Sequence, residues 1–376
     1  MRIVYNIAGL YRPSGMEKIL SDKANWLAEH GYEVTIITTE QKGRPDAFPL
    51  DSRIARRDLG IGYEDNNGTS LWNKLVHYPL KQYRHRKRLT AALMEIRPDI
   101  TVSMFCNEQG FLPAIKDGSH KVLELHFSRL KRLQYGRKGL WGLVDRIRNA
   151  HEVRQVKRFE RFVTLTWEDL SMWGDIPGIC SIPNGIRLEG IVPGGHEDHT
   201  VIAVGRYMYQ KGLDRLIDAW RIVCDELGPG HGWELHLLGD GELRPLLQEQ
   251  IDRLGLAGSV RLRGNVKDMP SEYRKAAILA LSSHYEGLPM ALIEAQAYGL
   301  PAVSFDCKCG PREVIVDGRT GRLVPEGDIQ ALARALLELI RDSECRRRMG
   351  AEAAILAVRF DFEAIMTQWD ELFKSL

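Results

Sequence analysis

The segment 277–301 constrains the fold of this chain more than any other part of the sequence. Its apolar beginning, 277–281, is typical of a buried parallel strand, and a glycine turn follows at Gly287. Pro289 suits the first turn of a helix, where its missing N–H costs nothing, and Gly299 suits the position just past the helix end. The segment is therefore predicted to be strand, turn, helix and strand, the repeating unit of a parallel α/β sheet.

The turn before this helix has the properties of an anion site. The free N–H groups at Gly287, Leu288 and Met290 onward, together with the helix dipole, are expected at the carboxyl end of the strand, where open α/β sheets bind ligands. Glu286 would lie at the rim of that turn, and Glu294 about two helical turns further along. A carboxylate pair does not bind phosphate, but it holds hydroxyls. Phosphate at the helix tip and sugar hydroxyls on two acids describe a nucleotide-sugar pocket.

The same segment resembles a known enzyme family. Glu286 and Glu294 form a Glu-x7-Glu pattern within EGLP…EA…G.P. This pattern resembles the retaining glycosyltransferases of family 4, which have the two-domain GT-B fold. The resemblance implies that Glu286 lies at the donor sugar and that Glu294 holds the nucleotide ribose. It also implies donor contacts for the turn residues Gly287, Leu288, Pro289 and Met290. The alternative for each acid is a solvated surface glutamate, favoured near a helix N-terminus by the dipole.

Length and composition place the chain among ordinary globular proteins. Its 376 residues are comfortable for two domains, and 44% hydrophobic with 27% charged residues is usual for a folded protein. The net charge of +2 is too small to indicate a nucleic-acid partner. The chain has neither an apolar run of membrane-spanning length nor a signal peptide at its beginning, which predicts a cytoplasmic protein. The six cysteines have no framework spacing and are predicted to be reduced, with no metal bound.

Strand and helix patterns alternate along both halves of the chain. In the first half, strands are predicted at 2–8, 32–38, 100–105, 121–125 and 162–165, with a polar, irregular stretch at 40–70. In the second half, strands are predicted at 201–204, 234–238, 259–262, 278–281 and 302–305. This alternation predicts two doubly wound parallel sheets. The predicted domains are 1–192, which binds the acceptor, 198–358, which binds the nucleotide sugar, and a helix at 359–376 that returns to the first domain.

Two cations follow the first strand of the second half. Gly205 and Arg206 come directly after that strand, and Lys211 precedes the next helix. Arginine offers a planar fork for phosphate oxygens and lysine a compact charge, so both can stabilise the charge on a departing nucleoside diphosphate. This arrangement resembles the GR…KG phosphate pair of the same family, which implies that Gly205 contacts the donor. The alternative is a solvated surface pair.

Three further positions resemble parts of the family's active site. Gly15 lies where the family has a Gly-Gly-x-Glu turn that contacts the donor, although Ser14 replaces the first glycine. His126 ends a predicted strand and matches a histidine near the sugar; a structural hydrogen-bonding role is the alternative. Asn265 and Val266 resemble the loop whose backbone meets the nucleobase, and ordinary turn chemistry explains them equally well.

Lysine and arginine dominate two stretches, 83–97 and 129–161, and Trp141 lies in the second. A basic surface with an aromatic residue fits a peripheral contact with the inner face of the cytoplasmic membrane and a lipid-linked acceptor. The alternative is a solvated basic face. Both stretches fall in the predicted acceptor-binding domain.

The sequence therefore predicts a GT-B protein, with two Rossmann-like domains facing a central cleft. The resemblance implies transfer of a sugar from a nucleotide-diphosphate sugar to a glycan or lipid-linked acceptor, with retention of configuration, in surface polysaccharide or glycan assembly. The resemblance also implies that no obligatory metal or other cofactor is needed, because Arg206, Lys211 and the helix tip supply positive charge. Two alternatives remain: a GT-B nucleotide-sugar isomerase or epimerase, for which the sequence offers no extra acids, and a non-catalytic nucleotide-sugar binder, which would have lost Glu286, Lys211 or His126.

Overall fold

The computed structural model describes residues 1–66, 71–129, 139–194 and 198–376. The chain divides into two compact units by its internal contacts. The first unit comprises Met1–Leu165, Leu170–Ile182 and Met366–Leu376, and the second comprises Thr166–Asp169 and Pro183–Ile365.

The first unit is built on a parallel sheet. Its strands are β1 (Arg2–Ile7), β2 (Glu33–Thr38), β3 (Ala55–Asp58), β4 (Ile100–Ser103), β5 (His120–Glu124), β6 (Arg161–Thr164) and β7 (Ile179–Ser181). Within the described residues the strand order is β3-β2-β1-β4-β5-β6-β7, and every pairing is parallel. The order reverses between β1 and β4, which opens a crevice at the carboxyl ends of these two strands.

Helices cover the faces of this sheet. They are α1 (Gly15–Glu29), α2 (Leu71–Ile96), α3 (Leu140–Val156) and α4 (Trp167–Trp173), the last of which begins in the stretch assigned to the second unit. One core cluster joins the sheet residues Val4, Leu123 and Phe162 to Leu89 and Leu93 of α2. All but the last residue of the basic stretch 83–97 belongs to α2.

The second unit repeats this architecture. Its strands are β8 (Thr200–Val204), β9 (Glu234–Leu238), β10 (Val260–Gly264), β11 (Ile278–Leu281), β12 (Ala302–Asp306) and β13 (Gly321–Pro325). Its helices are α5 (Leu213–Leu227), α6 (Arg244–Arg253), α7 (Met269–Lys275), α8 (Met290–Ala297), α9 (Pro311–Val314), α10 (Ile329–Arg341) and α11 (Ser343–Ala357). In the described part of the unit the order is β10-β9-β8-β11-β12-β13, again parallel, and it reverses between β8 and β11.

A final helix, α12 (Phe362–Lys374), follows these elements. Its apolar residues Phe362, Ile365, Trp369 and Phe373 are all buried, as their helical spacing predicts. The contacts assign residues from Met366 onward to the first unit.

Some sequence-based assignments were wrong. The stretch predicted to be irregular, 40–70, contains β3, and the strands β7 and β13 were not predicted. The strand β3 has the sequence Ala-Arg-Arg-Asp and lies at the sheet edge with mostly exposed side chains. A strand that pairs on one side and buries little needs no apolar pattern, so nothing in its composition marks it.

Candidate active site

The strands β8 and β11 end side by side, at the point where the order of the second sheet reverses. Gly205 and Arg206 follow β8, and Lys211 ends the short 3-10 helix Tyr209–Lys211. A Cβ atom on Gly205 would lie 2.8 Å from Cε of Lys211, so the absence of a side chain there leaves room for the lysine stem. The local sequence therefore brings the ammonium of Lys211 towards the end of β11.

The carboxylate of Glu286 receives that ammonium. Nζ of Lys211 lies 2.7 Å from Oε1 of Glu286, and the two side chains are only 19% and 6% exposed. The hydroxyl of Ser283 donates to the same oxygen at 2.6 Å, and the amide of Gln210 donates to Oε2 at 3.3 Å. Three donors thus fix the position of one carboxylate at the carboxyl edge of the sheet.

The second cation has a different environment. Arg206 is exposed, and its guanidinium makes no ion pair with any residue that the structure describes. A guanidinium without a protein partner keeps its fork of donors available for an anion. The sequence places both cations at one sheet edge, but only Lys211 is joined to an acid there.

The turn 287–289 leads into α8, which begins at Met290. Pro289 occupies the N-cap position with extended backbone, so the prediction that it lies inside the first helical turn was wrong by one residue. Gly310 packs on this turn: its φ is +104°, and a Cβ atom there would lie 2.4 Å from Cδ of Pro289. The first turn of α8 leaves backbone N–H groups free beside Glu286, which suits an anion.

The second acid of the Glu-x7-Glu pattern is partly exposed on α8. The hydroxyl of Tyr273, on α7, donates to Oε2 of Glu294 at 2.7 Å. The pKa of Tyr273 lies well above its ordinary value because the phenol is buried and because Glu294 is negatively charged. Tyr273 therefore stays protonated and donates to Glu294 throughout the neutral pH range. Gly299 follows α8 with a φ of +73°, as predicted for the position just past the helix end.

The loop after β10 carries Asn265, which is exposed, and Val266, which is partly buried.

Glycines at the ends of β8 and β9 allow close packing of the backbone. A Cβ atom on Gly239 would lie 2.1 Å from the carbonyl oxygen of Gly205, and one on Gly241 would lie 2.4 Å from that of Tyr207. The Gly-Asp-Gly turn after β9 is therefore required by close backbone packing.

In the first unit, His126 follows β5 and belongs to a buried polar network. Its Nε2 lies 3.0 Å from Oε1 of Glu124, and Nζ of Lys23 lies 2.7 Å from the same carboxylate. Burial acts to raise the pKa of Glu124, but the charges of Lys23 and His126 outweigh it and lower the pKa to about 2. The ammonium of Lys23 also lies 3.3 Å from the ring centroid of Trp369. The contact with Glu124 therefore fixes the side chain of His126 after the end of β5.

Gly15 is the first residue of α1, directly after Ser14 at the N-cap position. The hydroxyl of Ser14 donates to the carboxylate of Glu17, which is buried. A Cβ atom on Gly15 would have no heavy atom of the described residues within 4 Å. Among those residues no group requires glycine at this position, whereas a ligand approaching the backbone there would.

A further buried acid lies near the carboxyl end of β4. Ser103 donates to Glu108 at 2.6 Å, and both residues are almost inaccessible to solvent. Burial raises the pKa of Glu108 to about 7, against the lowering effect of that hydrogen bond. Sequence analysis did not find this group, because a single glutamate in a loop carries no signal of its surroundings.

The described residues were compared with the requirements of metal sites and of membrane-spanning helices. These residues include no group of three or more His, Cys, Asp or Glu side chains that could hold a metal ion. In the same part of the chain, no helix has the length and apolar character needed to cross a membrane. The basic residues 130–138, which lie inside the predicted membrane-contacting stretch 129–161, are outside the described residues.

Similarity to known proteins identifies the kind of enzyme. Residues 192–355 match the family model of the glycosyl transferases group 1. The amylovoran biosynthesis glycosyltransferase AmsD of Erwinia amylovora is 28% identical over 391 residues, covering 99% of this chain and 99% of AmsD. The segment 192–355 is that of a group 1 glycosyltransferase. The lipopolysaccharide core biosynthesis glycosyltransferase LpsE of Rhizobium meliloti is 25% identical over 371 residues and is covered to 97%, as is this chain.

Structural similarity shows the fold. HepE of Anabaena, solved in complex with UDP and glucose, superposes with a TM-score of 0.76 at 19% sequence identity, and the whole length of both chains is covered. The predicted fold class, GT-B with two Rossmann-like parallel-sheet domains, is confirmed. The recognition of the family from its Glu-x7-Glu segment is confirmed as well.

Three residues of this glycosyltransferase that contact the predicted site were not found from the sequence. Gln210 and Ser283 hold Glu286, and Tyr273 holds Glu294. Ser283 lies three residues before Glu286, so its position was a usable signal. Tyr273 is 21 positions from Glu294 in the chain, and no periodicity connects the two.

Proposed function

We propose that this glycosyltransferase moves a sugar from a nucleoside diphosphate sugar to a glycan or lipid-linked acceptor, with retention of anomeric configuration. The observation that carries the proposal is the Lys211–Glu286 pair beside the free N-terminus of α8, at the reversal point of the second sheet. Positive charge for a diphosphate and a fixed carboxylate for sugar hydroxyls lie together there.

In the proposed reaction, the bond between the anomeric carbon and the diphosphate oxygen breaks, and a bond from that carbon to the acceptor oxygen forms on the same face. Arg206, Lys211 and the N–H groups of α8 stabilise the charge that grows on the leaving diphosphate. Glu286 accepts hydrogen bonds from the donor sugar, and Glu294 accepts them from the ribose. The acceptor proton passes to the leaving phosphate oxygen. These cationic groups supply the charge for which other enzymes use a metal, so we propose no obligatory metal.

The remaining donor contacts are proposed by position. Gly205, Gly287, Leu288, Pro289 and Met290 line the phosphate end of the pocket. In the loop after β10, the backbone of Asn265 and Val266 meets the nucleobase. In the first unit, Gly15 contacts the donor and His126 lies near the sugar.

A surface glycan is the proposed product. The names of AmsD and LpsE refer to the biosynthesis of amylovoran and of the lipopolysaccharide core. An acceptor of this kind, carried on a lipid, requires the enzyme to work at the inner face of the cytoplasmic membrane. A suitable surface exists on the outer side of α2.

That surface combines apolar and basic side chains along one face of the helix. Leu80, Tyr83 and Met94 are exposed to 58%, 70% and 48%. Arg84 and Lys87 lie on the same face by helical spacing, and both are exposed. We propose that this face, called here the α2 outer face, makes a peripheral contact with anionic lipid.

The central experiment is a panel of nucleotide sugars, screened by thermal shift and then by turnover. A donor should raise the unfolding midpoint, and release of nucleoside diphosphate should require an acceptor glycan. The anomeric configuration of the product, read by NMR, should equal that of the donor. Inversion would contradict the retaining mechanism. Conversion of the donor into a different nucleotide sugar without an acceptor would favour the isomerase alternative. Binding without any reaction would favour a non-catalytic binder; the comparisons support neither alternative.

A further inference from the structure

The second acid of the motif is held by a neighbouring helix. Tyr273 is 1% exposed, and its hydroxyl donates to Oε2 of Glu294 at 2.7 Å. Its ring stacks on Tyr298, with the centroids 5.6 Å apart and the planes 20° from parallel. Tyr298 caps the end of α8, four residues after Glu294. The phenol is therefore fixed by packing on the same helix whose carboxylate it contacts.

The location of Tyr273 connects two parts of the nucleotide pocket. It lies on α7, and α7 follows the loop of Asn265 and Val266 after only a few residues. The loop that we assign to the nucleobase thus continues into the helix that holds the acid assigned to the ribose. The loop and α7 follow one another after the carboxyl end of β10. One short segment therefore positions the groups that we assign to the base and to the ribose.

We propose that Tyr273 is a positioning residue for ribose recognition, which acts by fixing the rotation of the Glu294 carboxylate. This inference rests on the proposed role of Glu294 in holding the ribose. A carboxylate accepts two vicinal hydroxyls well only when both oxygens face them, and a free glutamate side chain loses rotamer entropy when it adopts that orientation. A donor that occupies one lone pair of Oε2 fixes the carboxylate plane before the nucleotide arrives.

Discrimination between ribose and its deoxy form gives the decisive measurement. Calorimetry would compare uridine, guanosine and adenosine diphosphates with their 2′,3′-dideoxy counterparts on the full chain, using the base that binds most tightly. We expect the wild-type protein to prefer the ribose form by roughly ten-fold or more, since a buried or half-buried polar contact is lost in the deoxy form. Tyr273→Phe should reduce that preference about three- to ten-fold and leave the affinity for the dideoxy form unchanged.

Two further variants separate positioning from a structural effect. Tyr207→Phe is the matched control, because Tyr207 is another fully buried tyrosine of this unit whose hydroxyl donates to the backbone carbonyl of Leu237 at 2.7 Å. It should leave the ribose preference unchanged even if it lowers stability. Glu294→Asp withdraws the carboxylate from Tyr273 by one methylene and should reduce the preference, without any change at Tyr273 itself. In the double variant Tyr273→Phe/Glu294→Gln, the loss should not exceed that of Glu294→Gln alone.

Each outcome has a definite consequence. If Glu294→Gln removes the ribose preference while Tyr273→Phe keeps it, the positioning role is wrong and the ribose role of Glu294 stands. If the wild-type protein shows no ribose preference, or Glu294→Gln keeps it, the ribose role itself is wrong and the inference fails with it. If none of the diphosphates binds, the proposed nucleotide-sugar donor is wrong.

Discussion

The ammonium of Lys211 lies 2.7 Å from the carboxylate of Glu286, although 75 positions separate these residues in the chain. The contact joins the ends of β8 and β11, between which the order of the sheet reverses. Both side chains are mostly buried, so removal of either one leaves the other charge without its partner where water reaches it poorly. A substitution of Lys211 therefore also disturbs Glu286, whereas one of Arg206 does not.

The two cations should affect catalysis alike and stability differently. Arg206→Ala and Lys211→Ala should each lower turnover by roughly one hundred-fold, because each removes positive charge from the leaving diphosphate. Only Lys211→Ala should also lower the unfolding midpoint, since Arg206 is exposed and unpaired within the described residues. Arg253→Ala, at an exposed arginine of α6, is the control and should change neither quantity. Steady-state rates within a factor of two of the parent would contradict the phosphate-binding assignment.

The two acids of the motif should separate into turnover and affinity. Glu286→Gln should chiefly reduce turnover, because contacts at the reacting sugar matter most in the transition state. Glu294→Gln should chiefly weaken binding of the nucleoside diphosphate, measured by calorimetry, because its partner is the ribose. Unchanged nucleotide affinity in Glu294→Gln would contradict the contact of Glu294 with the ribose. Unchanged turnover in Glu286→Gln would contradict the contact of Glu286 with the donor sugar.

The architecture was largely predictable because buried parallel strands have continuous apolar runs. The strands β8 and β11 were predicted from such runs, and their carboxyl ends mark the ligand edge by the rule for open α/β sheets. That rule, applied to the sequence alone, places Arg206, Lys211 and Glu286 at one edge. It does not predict which of the cations pairs with the acid, because that depends on the steric freedom that Gly205 leaves for the lysine stem.

Other features depend on contacts that have no sequence pattern. The strand β3 is polar because it lies at an edge, and its partner β2 supplies the backbone hydrogen bonds that define it. The contact between Tyr273 and Glu294 joins two helices through side chains alone. None of these environments could be predicted from periodicity or motif spacing, since each arises only when distant segments meet.

Gly15 provides a test in which activity and stability should separate. Gly15→Ala places a methyl group where no heavy atom of the described part of the chain lies within 4 Å, so the unfolding midpoint should stay the same or rise slightly. If the donor approaches this part of the backbone, turnover should fall by about ten-fold or more, since a small misplacement of the substrate is costly. Gly258→Ala is the matched control. Gly258 lies in the loop between α6 and β10, and a Cβ atom added there would also meet no heavy atom of the described residues within 4 Å. Equal activity in the two variants would rule out a donor contact at Gly15.

Glu108 should make stability depend on pH. The pKa of Glu108 is raised to about 7 by burial, whereas a glutamate in the unfolded chain titrates near 4.3. Between these values the folded protein binds more protons than the unfolded one, so the free energy of unfolding should fall as pH rises from about 4.3 to about 7. Glu108→Gln should remove this dependence. The difference in free energy of unfolding between this variant and the parent should therefore change with pH. As pH rises from 4 to 8, it should move in favour of the variant by on the order of 2–3 kcal/mol.

Urea titrations of both proteins at several pH values check this prediction. Glu371→Gln, at an exposed glutamate of α12 in the same unit, is the control and should keep the pH dependence of the parent. Parallel curves for the parent and Glu108→Gln would show that Glu108 ionises normally in the folded protein.

The α2 outer face should determine whether this glycosyltransferase attaches to membranes. Each exposed basic residue near an anionic surface contributes on the order of 1 kcal/mol, and Leu80 and Tyr83 add apolar area beside Arg84 and Lys87. The protein should co-sediment with vesicles that contain anionic lipid, bind neutral vesicles weakly, and dissociate as ionic strength rises, since salt screens the attraction.

Charge reversal at the α2 outer face distinguishes a membrane contact from a solvated basic surface. Arg84→Glu/Lys87→Glu should abolish co-sedimentation with anionic vesicles, and Leu80→Ser/Tyr83→Ser should weaken it while leaving its salt dependence in place. The control Arg253→Glu/Arg347→Glu makes the same change of charge at exposed positions of α6 and α11 in the second unit, and it should bind as the parent does. If both charge-reversed proteins lose binding equally, attachment follows net charge alone and the α2 outer face has no special role. If the parent fails to sediment with anionic vesicles even at low salt, a soluble glycan becomes the better acceptor.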